Sequence, residues 1–307
     1  MILKTKLFGK VYEFKSLREV MAKANEEKSG DKLAGIAAES AEERVAAKVV
    51  LSHITLEDLR NNPAVPYEED EVTRIIQDGV NEAIYKEIKG MTVAEFREWI
   101  LSETTTTDMI KRASRGLTSE MVAAVCKLMT NLDLIYAAKK IRVSAHCNTT
   151  IGLPGTFSSR LQPNHTTDDP KGIMASVMEG LSYGCGDAVI GLNPVDDSVE
   201  SVARILKSFD EFKNKWEVPT QICVLAHVTT QTEAADKLNA PIDLMFQSIA
   251  GSQKGNEAFG LNAQMLQDGR EMMLKKGTST GPNVMYFETG QGSELSSEAH
   301  NGWDQVT

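Results

Sequence analysis

Ala188-Val-Ile-Gly-Leu192 is the stretch that decides the fold, because it is an unbroken apolar run with the length of one strand. Asn193 and Pro194 follow it directly, so the run ends in a polar residue and a turn former. A strand without polar positions has both faces covered, as in the parallel sheets of α/β proteins. We therefore predict a buried parallel strand over residues 187–193.

Four other short stretches with β-branched residues are also interpreted as strands, and amphipathic stretches with helical periodicity lie between them. The five predicted strands cover residues 141–146, 187–193, 220–227, 244–249 and 284–288. Helices are predicted over residues 173–181, 199–212, 231–238 and 258–276. This alternation is typical of repeated βα units around a parallel sheet, which places the chain in the α/β class.

The positions of the polar residues distinguish two α/β architectures that share this alternation. A doubly wound open sheet gathers its ligand contacts at one crevice, and its G-x-G-x-x-G motif after a strand is absent here. In this chain polar residues follow several strands, as at the mouth of a barrel. We predict a (β/α)8 TIM barrel of which only about five strands are present. Since a closed barrel needs eight strands, we expect the C-terminal strands to be missing.

The residues before the predicted barrel have a different sequence pattern, and we predict that they form a mostly helical N-terminal region. Residues 1–14 alternate lysine with apolar residues around Gly9, which is typical of a β-hairpin. Capping-box spacings begin at Ser16, Ser40 and Thr92 and predict helix starts there. We therefore divide the chain into a hairpin plus helical region, 1–137, and the first part of a barrel, 138–307.

The composition argues against several classes of function. The chain has 307 residues and a net charge of −10, so neither nucleic acid nor an acidic membrane is expected as a partner. No apolar run reaches the length of a membrane span. The four cysteines form no C-x-x-C pair, and we interpret them as buried free thiols of a cytoplasmic protein. They are Cys126, Cys147, Cys185 and Cys223.

Three residues that follow predicted strands are candidates for binding a small polar ligand. Arg160 and Gln162 are two apart, so in an extended segment they face the same way. Arginine holds oxygen atoms with defined geometry. Asn193 can hydrogen-bond a hydroxyl or an amine. The alternatives are a surface arginine in a βα loop and an ordinary Asn-Pro turn.

Glu288 is the candidate for binding a cation or taking a proton. It ends a run of Val, Met, Tyr and Phe, and a glycine-rich segment that lets a ligand approach the backbone follows it. A carboxylate that is partly removed from water can perform either task. The alternative is a strand-terminal carboxylate that points into solvent.

Two histidines lie at the ends of predicted strands, which raises the hypothesis that they bind a metal ion. His146 and His227 stand in no H-x-H or H-E-x-x-H spacing, so no metal ligand is predicted. We interpret His227 as a satisfied histidine of the core, or as one that supports the residues lining the site. Two alternative functions stay open: a metal-dependent barrel lyase or hydrolase that uses both histidines with Glu288, and a non-catalytic scaffold protein.

The whole chain, from Met1 to Thr307, also resembles one enzyme family. The stretches that carry the resemblance include Ala46-Ala-Lys48, Asp58-Leu-Arg-Asn-Asn-Pro63, Gly116-Leu-Thr-Ser-Glu120, Asn148-Thr-Thr-Ile-Gly152, Arg160-Leu-Gln-Pro-Asn164, Gly186-Asp-Ala-Val-Ile-Gly191, Leu225-Ala-His-Val-Thr-Thr-Gln231 and Phe287-Glu-Thr-Gly-Gln-Gly-Ser293. Through them the chain resembles the heavy subunit of ethanolamine ammonia-lyase, an adenosylcobalamin-dependent enzyme.

The resemblance implies a reaction and a set of contacts. Ethanolamine is converted to acetaldehyde and ammonia after an adenosyl radical takes hydrogen from the substrate. By position, the implied substrate contacts are Arg160, Gln162, Asn193 and Glu288. The implied cobalamin contacts are Pro194, Gln247 and Ser296.

The resemblance further implies partners and a location. Family members work with a smaller light subunit, associate into larger oligomers, and typically belong to a bacterial microcompartment in the cytoplasm. Their heavy subunits continue through further barrel strands, which carry a second substrate-binding carboxylate. On that basis we expect residues 1–307 alone to have little or no activity.

Overall fold

The computed structural model describes residues 1–289, 299, 302 and 303, and these form two compact units. One unit comprises Met1–Arg142 and Ala250–Gly260, together with residues 299, 302 and 303. The other comprises Val143–Ile249 and Leu261–Thr289. Each unit has its own cluster of buried apolar side chains.

The first unit opens with the predicted β-hairpin. Strands β1 (Lys4–Leu7) and β2 (Lys10–Glu13) pair antiparallel, with Leu7 opposite Lys10. The connecting residues Phe8 and Gly9 have φ values of 52° and 76°, in the left-handed region that suits a two-residue hairpin turn. The structure therefore confirms the hairpin.

Helices account for most of the remaining residues of this unit. They are α1 (Leu17–Ala24), α2 (Ser29–Leu33), α3 (Ala41–Ser52), α4 (Leu56–Asn61), α5 (Glu71–Asp78), α6 (Glu82–Ile88), α7 (Val93–Leu101), α8 (Thr107–Ala113), α9 (Ser119–Lys127) and α10 (Asn131–Lys140). The hydroxyls of Ser16, Ser40 and Thr92 each accept the backbone N–H three residues along, so the predicted helix starts are confirmed.

The core of the first unit is made by apolar side chains that the helices turn inward. Leu51, Ile54, Leu56, Leu59 and Met121 are each at most 2% exposed. Complete burial of one such side chain stabilises a fold by roughly 1.5–3 kcal/mol relative to exposure. Helices α3, α4 and α9 are therefore held mainly by this shared core.

The second unit alternates strands and helices, as the sequence predicts. Its elements are β3 (Ala145–His146), β4 (Thr150–Ile151), β5 (Arg160–Leu161), α11 (Pro170–Ser182), β6 (Val189–Leu192), α12 (Val199–Lys215), β7 (Ile222–Val224), α13 (Val228–Leu238) and β8 (Met245–Ile249). After α14 (Gln253–Ala258), which belongs to the first unit, come α15 (Ala263–Lys276) and β9 (Met285–Thr289).

Parallel pairing joins strands that are neighbours along the chain. β5 pairs with β6, β6 pairs with β7, and β8 pairs with β9, all parallel. Directly before β8, the N–H of Leu244 donates to the carbonyl of Ile222 in β7 at 3.2 Å. The α/β class is thus confirmed, while within residues 1–289 these small sheets do not close into a barrel.

The predicted strand over residues 141–146 is wrong for most of its length. Only Ala145–His146 forms a strand, and it pairs antiparallel with β4 instead of joining the parallel strands. Ile141 and Val143 stay 47% and 74% exposed, so little apolar burial is available to hold a strand there. The first parallel strand is β5, in a segment that the sequence had suggested as a loop.

The other predicted strands and helices fall within or overlap observed elements. β6 is buried at all four positions, as its apolar run predicts. The helix predicted over 258–276 begins later, at Ala263, because Gly260 adopts a φ of 70° after α14. In the described part of the chain, no helix combines the length and the apolar character that a bilayer crossing requires.

Candidate functional site

Arg160 is the centre of the candidate site because it joins the first and last parallel strands of its unit. Its Nη1 donates a hydrogen bond to the phenol oxygen of Tyr286 at 3.1 Å. The same nitrogen lies 3.9 Å from Oε2 of Glu288, beyond hydrogen-bond distance. The structure therefore brings together Arg160 and Glu288, two of the residues predicted from sequence.

Two further nitrogens of Arg160 are buried without a partner. Nε and Nη2 have no contact with solvent and no hydrogen-bond acceptor among the described residues. A buried donor that is left unpaired costs about 1–3 kcal/mol, and more when it is charged. The guanidinium is therefore arranged for an acceptor that the described residues do not supply, such as an oxygen atom of a ligand.

Strand β9 presents Tyr286 and Glu288 on one face. Residues two apart along a strand point the same way, and in β9 these two face the guanidinium of Arg160. Our sequence reasoning assigned no role to Tyr286. The alternation of positions 286 and 288 could have identified it, since Glu288 was already a candidate.

A neutral, apolar cluster packs beside this polar group. The buried residues Cys147, Val189, Cys223 and Leu244 form it, with Tyr286 packed against them. Burial raises the pKa of the Cys223 thiol to about 12 and that of Cys147 to about 11. Both thiols stay protonated at neutral pH, so they add no negative charge near Arg160.

All four cysteines are free thiols, but only part of the burial prediction is confirmed. Cys147 and Cys223 are buried, Cys185 is half-buried and Cys126 is exposed. The apolar sequence around Cys126 belongs to helix α9, where one face packs inward and the other stays at the surface.

Gln162 and Asn193 follow the adjacent strands β5 and β6, and Asn164 connects them. The backbone N–H of Asn193 donates to Oδ1 of Asn164 at 2.9 Å, and the N–H of Asn164 donates to the carbonyl of Gln162 at 3.0 Å. Both predicted side chains are exposed. The two loops are thus fixed to each other, with Gln162 and Asn193 at the same end of the strands.

Asp168 holds the loop that follows Asn193, and sequence reasoning missed this residue. Its carboxylate accepts the N–H of Val195 at 2.9 Å and the N–H of Asp196 at 2.8 Å. Asp168 is only 2% exposed and has a φ of 51°, a conformation that aspartate tolerates better than most residues. The Asp168-Asp169-Pro170 sequence, which is typical of a helix start, was the available indication.

The residues expected to contact a cobalamin differ in how accessible their side chains are to a ligand. Pro194 is half-buried in the loop after β6. Gln247 is 4% exposed, and its Oε1 accepts the N–H of Val228 at 2.8 Å while its Nε2 donates to the carbonyl of Ser248 at 3.0 Å. Gln247 therefore anchors the start of α13. Ser296 lies outside the described residues.

The two histidines do not form the metal site of the alternative hypothesis. His146 is exposed and its Nδ1 lies 3.0 Å from the hydroxyl of Thr150. His227 caps α13, with Nδ1 accepting the N–H of Thr229 at 3.3 Å, and its Nε2 is buried without a partner among the described residues. Within the described part of the chain only one ring nitrogen is therefore satisfied, and a supporting role for His227 stays a prediction. Among the described residues, no group of three or more His, Cys, Asp or Glu side chains is arranged to hold a metal ion.

Comparison with known proteins places these residues in a family context. Residues 12–307 match the family model described as ethanolamine ammonia lyase large subunit (EutB). The ethanolamine ammonia-lyase large subunit of Escherichia coli K12 is 56% identical over 307 residues, which are 100% of this chain and 68% of that protein. The large subunit of Salmonella typhimurium LT2 shows the same identity and the same coverage.

Proposed function

The chain belongs to the ethanolamine ammonia-lyase large-subunit family, and from this premise we propose that it provides the catalytic site that converts ethanolamine to acetaldehyde and ammonia. The observation that carries the proposal is the pair of donors on Arg160 that have no acceptor among the described residues, with the Glu288 carboxylate 3.9 Å from Nη1 of the same guanidinium. This arrangement offers hydrogen-bond donors for a hydroxyl oxygen and a negative charge for an ammonium group.

The substrate fits this arrangement by its chemistry. Ethanolamine carries one hydroxyl and, at neutral pH, one positive charge. Nε and Nη2 of Arg160 donate to the hydroxyl oxygen, and Glu288 accepts the ammonium in a charge-assisted hydrogen bond. Gln162 and Asn193, at the ends of the neighbouring strands β5 and β6, supply neutral hydrogen-bonding groups around the same ligand.

Arg160 has a second task during the reaction. As the amino group leaves the substrate, charge at the oxygen changes, and a fixed guanidinium stabilises that change without having to reorient. Glu288 meanwhile holds the nitrogen end. The protein therefore positions both ends of a small molecule.

Of the residues at the strand ends that would hold adenosylcobalamin, some are available to contact a bulky ligand and others are already hydrogen-bonded within the protein. Pro194 after β6 offers an apolar surface, and the buried Nε2 of His227 after β7 has no hydrogen-bond partner among the described residues. Gln247 would contribute by fixing the backbone, because both ends of its amide are already bonded. Ser296 is the third proposed contact. When bound, the cofactor supplies the radical chemistry that none of these side chains can provide.

The proposed architecture around this site is a TIM barrel. Neighbouring strands lie about 4.8 Å apart, so a flat array from β5 to β9 would place its outer strands about 19 Å apart. The hydrogen bond between Arg160 in β5 and Tyr286 in β9 therefore requires the strands to curve toward each other. Parallel strands in sequential order with strong curvature are what a barrel contains.

We also propose the partners that this function requires. The relatives are named as large subunits, which supports a small-subunit partner for this chain. Self-association and a cytoplasmic microcompartment location are proposed on the family resemblance alone. Each can be tested by mass measurement of the purified complex and by cell fractionation.

The test of the proposed function is ethanolamine binding to the protein purified with its small subunit. Calorimetry is run on the wild type, Arg160→Ala and Glu288→Gln, with Arg204→Ala as a control at an exposed arginine of the same unit. We expect binding by the wild type and the control, and a loss of at least about tenfold in the two site variants. A wild type that does not bind ethanolamine would overturn the proposal and favour the scaffold alternative.

A further inference from the structure

We propose that Tyr286 is a positioning residue which holds the guanidinium of Arg160, and that this makes the site selective for ligands with a hydroxyl group. The inference rests on the proposed function and deepens it, since it names the residue that creates the selectivity. Tyr286 acts through Arg160 and is not itself placed against the reacting atoms.

The guanidinium of Arg160 is planar and carries five N–H donors in a fixed arrangement. Nη1 is occupied by the phenol oxygen of Tyr286 at 3.1 Å, whereas Nε and Nη2 have no partner among the described residues. Nε and Nη2 form one edge of the plane, the edge that can hold oxygen atoms side by side. Anchoring Nη1 therefore fixes the direction in which that edge faces.

Tyr286 is itself held firmly by its neighbours. Its ring packs edge-on against Phe246, with the ring centroids 5.6 Å apart and the planes at 72°. The two residues are register partners in the paired strands β8 and β9. The ring also packs against the buried cluster around Cys223. A phenol on such a support keeps its oxygen in place, and so keeps Arg160 in place.

The Glu288 carboxylate also lies near Arg160. Its Oε2 is 3.9 Å from Nη1, too far for a hydrogen bond. The phenol, not the carboxylate, therefore accepts the hydrogen bond from Nη1. Without the phenol oxygen, the guanidinium of Arg160 can rotate about its side-chain torsions. The Nε–Nη2 edge would then no longer face the hydroxyl of the ligand, whereas Glu288 would still be available to the ammonium group.

The test uses Tyr286→Phe, which keeps the ring on Phe246 and removes only the oxygen that accepts from Arg160. Tyr183→Phe is the matched control, since Tyr183 is 77% exposed in the same unit. Binding of ethanolamine and of ethylamine, which lacks the hydroxyl, is measured by calorimetry on the complex with the small subunit. Thermal melting checks that each variant is folded.

We expect Tyr286→Phe to weaken ethanolamine binding about tenfold, the effect of one charge-assisted hydrogen bond. Ethylamine binding should change less than about twofold, because its complex does not use the Arg160 edge. The same substitution made in an Arg160→Ala background should have no further effect on ethanolamine, as residues acting through one another are not additive.

The outcomes separate this inference from the function on which it rests. If the wild type binds ethanolamine and Tyr286→Phe binds it equally well, the positioning role is wrong and the proposed function stands. An equal loss for ethanolamine and ethylamine would show a general structural role and would also overturn the inference. If the wild type binds neither amine, the proposed function itself fails.

Discussion

The ammonium group of Lys213 lies 2.6 Å from a carboxylate oxygen of Asp243, whose side chain is completely buried. The same carboxylate accepts the N–H of Ile222 at 3.0 Å and the hydroxyl of Thr278 at 2.7 Å. One buried charge thus connects helix α12, strand β7 and the segment that follows α15. These are supports of the strands that carry the candidate site.

Lys213→Met is expected to lower the free energy of unfolding by about 3 kcal/mol. The substitution keeps the length of the side chain but leaves the Asp243 carboxylate buried without a cation, a change that typically costs this much or more. Urea denaturation measures the effect. Lys237→Met is the control, because Lys237 pairs with Glu233 at the surface, where both side chains are about half exposed or more and such pairs contribute less than about 1 kcal/mol.

Equal effects of the two lysine substitutions would contradict this prediction. That result would mean that water reaches Asp243 when the cation is removed. The carboxylate would then be solvated, and the loss of its cation would cost little free energy of unfolding.

Glu120 is expected to make the stability of the protein depend on pH. Burial raises the pKa of this carboxyl from 4.5 to about 7 in the folded protein, although the N–H of Ala64 donates to it. Between these values the folded state holds a proton that the unfolded state has lost. The contribution of Glu120 is therefore fully present below pH 4.5 and is lost as the pH rises through about 7.

The measurement compares the wild type with Glu120→Gln, which cannot ionise. Between pH 5 and pH 8 the free energy of unfolding of the wild type should fall by about 3 kcal/mol relative to the variant, since each unit of pKa is about 1.4 kcal/mol. Taking the difference between the two proteins cancels the titrating groups that do not interact with Glu120. Lys127, whose pKa is lowered by burial, interacts with Glu120 and so contributes to the difference. Parallel pH profiles would contradict the raised pKa of Glu120.

Asp168→Ala is expected to weaken ethanolamine binding about tenfold by releasing the loop after Asn193. The substitution leaves the N–H groups of Val195 and Asp196 without the acceptor that now holds them. Calorimetry measures the affinity, with Asp197→Ala as the control at an exposed aspartate of the same loop. Unchanged affinity in Asp168→Ala, together with a lower melting temperature, would limit Asp168 to a role in stability.

Local patterns predicted individual elements well where burial and capping act within a few residues. The apolar run of β6 is buried along its length, and the hairpin β1–β2 turns at Gly9. The helix caps at Ser16 and Thr92 also follow from short-range spacing, because a hydroxyl and an N–H three residues apart meet in any helix start.

The prediction over residues 141–146 failed because it relied on β-branched composition without knowing what would cover the strand. Val143 remains exposed, and Ala145–His146 finds its partner in a local reversal with Thr150–Ile151. Strand propensity depends on neighbours across the sheet. Arg160–Leu161 forms the first parallel strand instead, and it pairs with β6.

The sequence by itself determined the family, the alternation of strands and helices in the second half, and Arg160, Gln162, Asn193 and Glu288 as candidate ligand contacts. Only the tertiary structure decided that Arg160 is held by Tyr286, a residue 126 positions away along the chain. Such a contact depends on the order and curvature of the strands between them. Periodicity reports which face a side chain occupies, but burial of Nε and Nη2 arises only when distant strands enclose them.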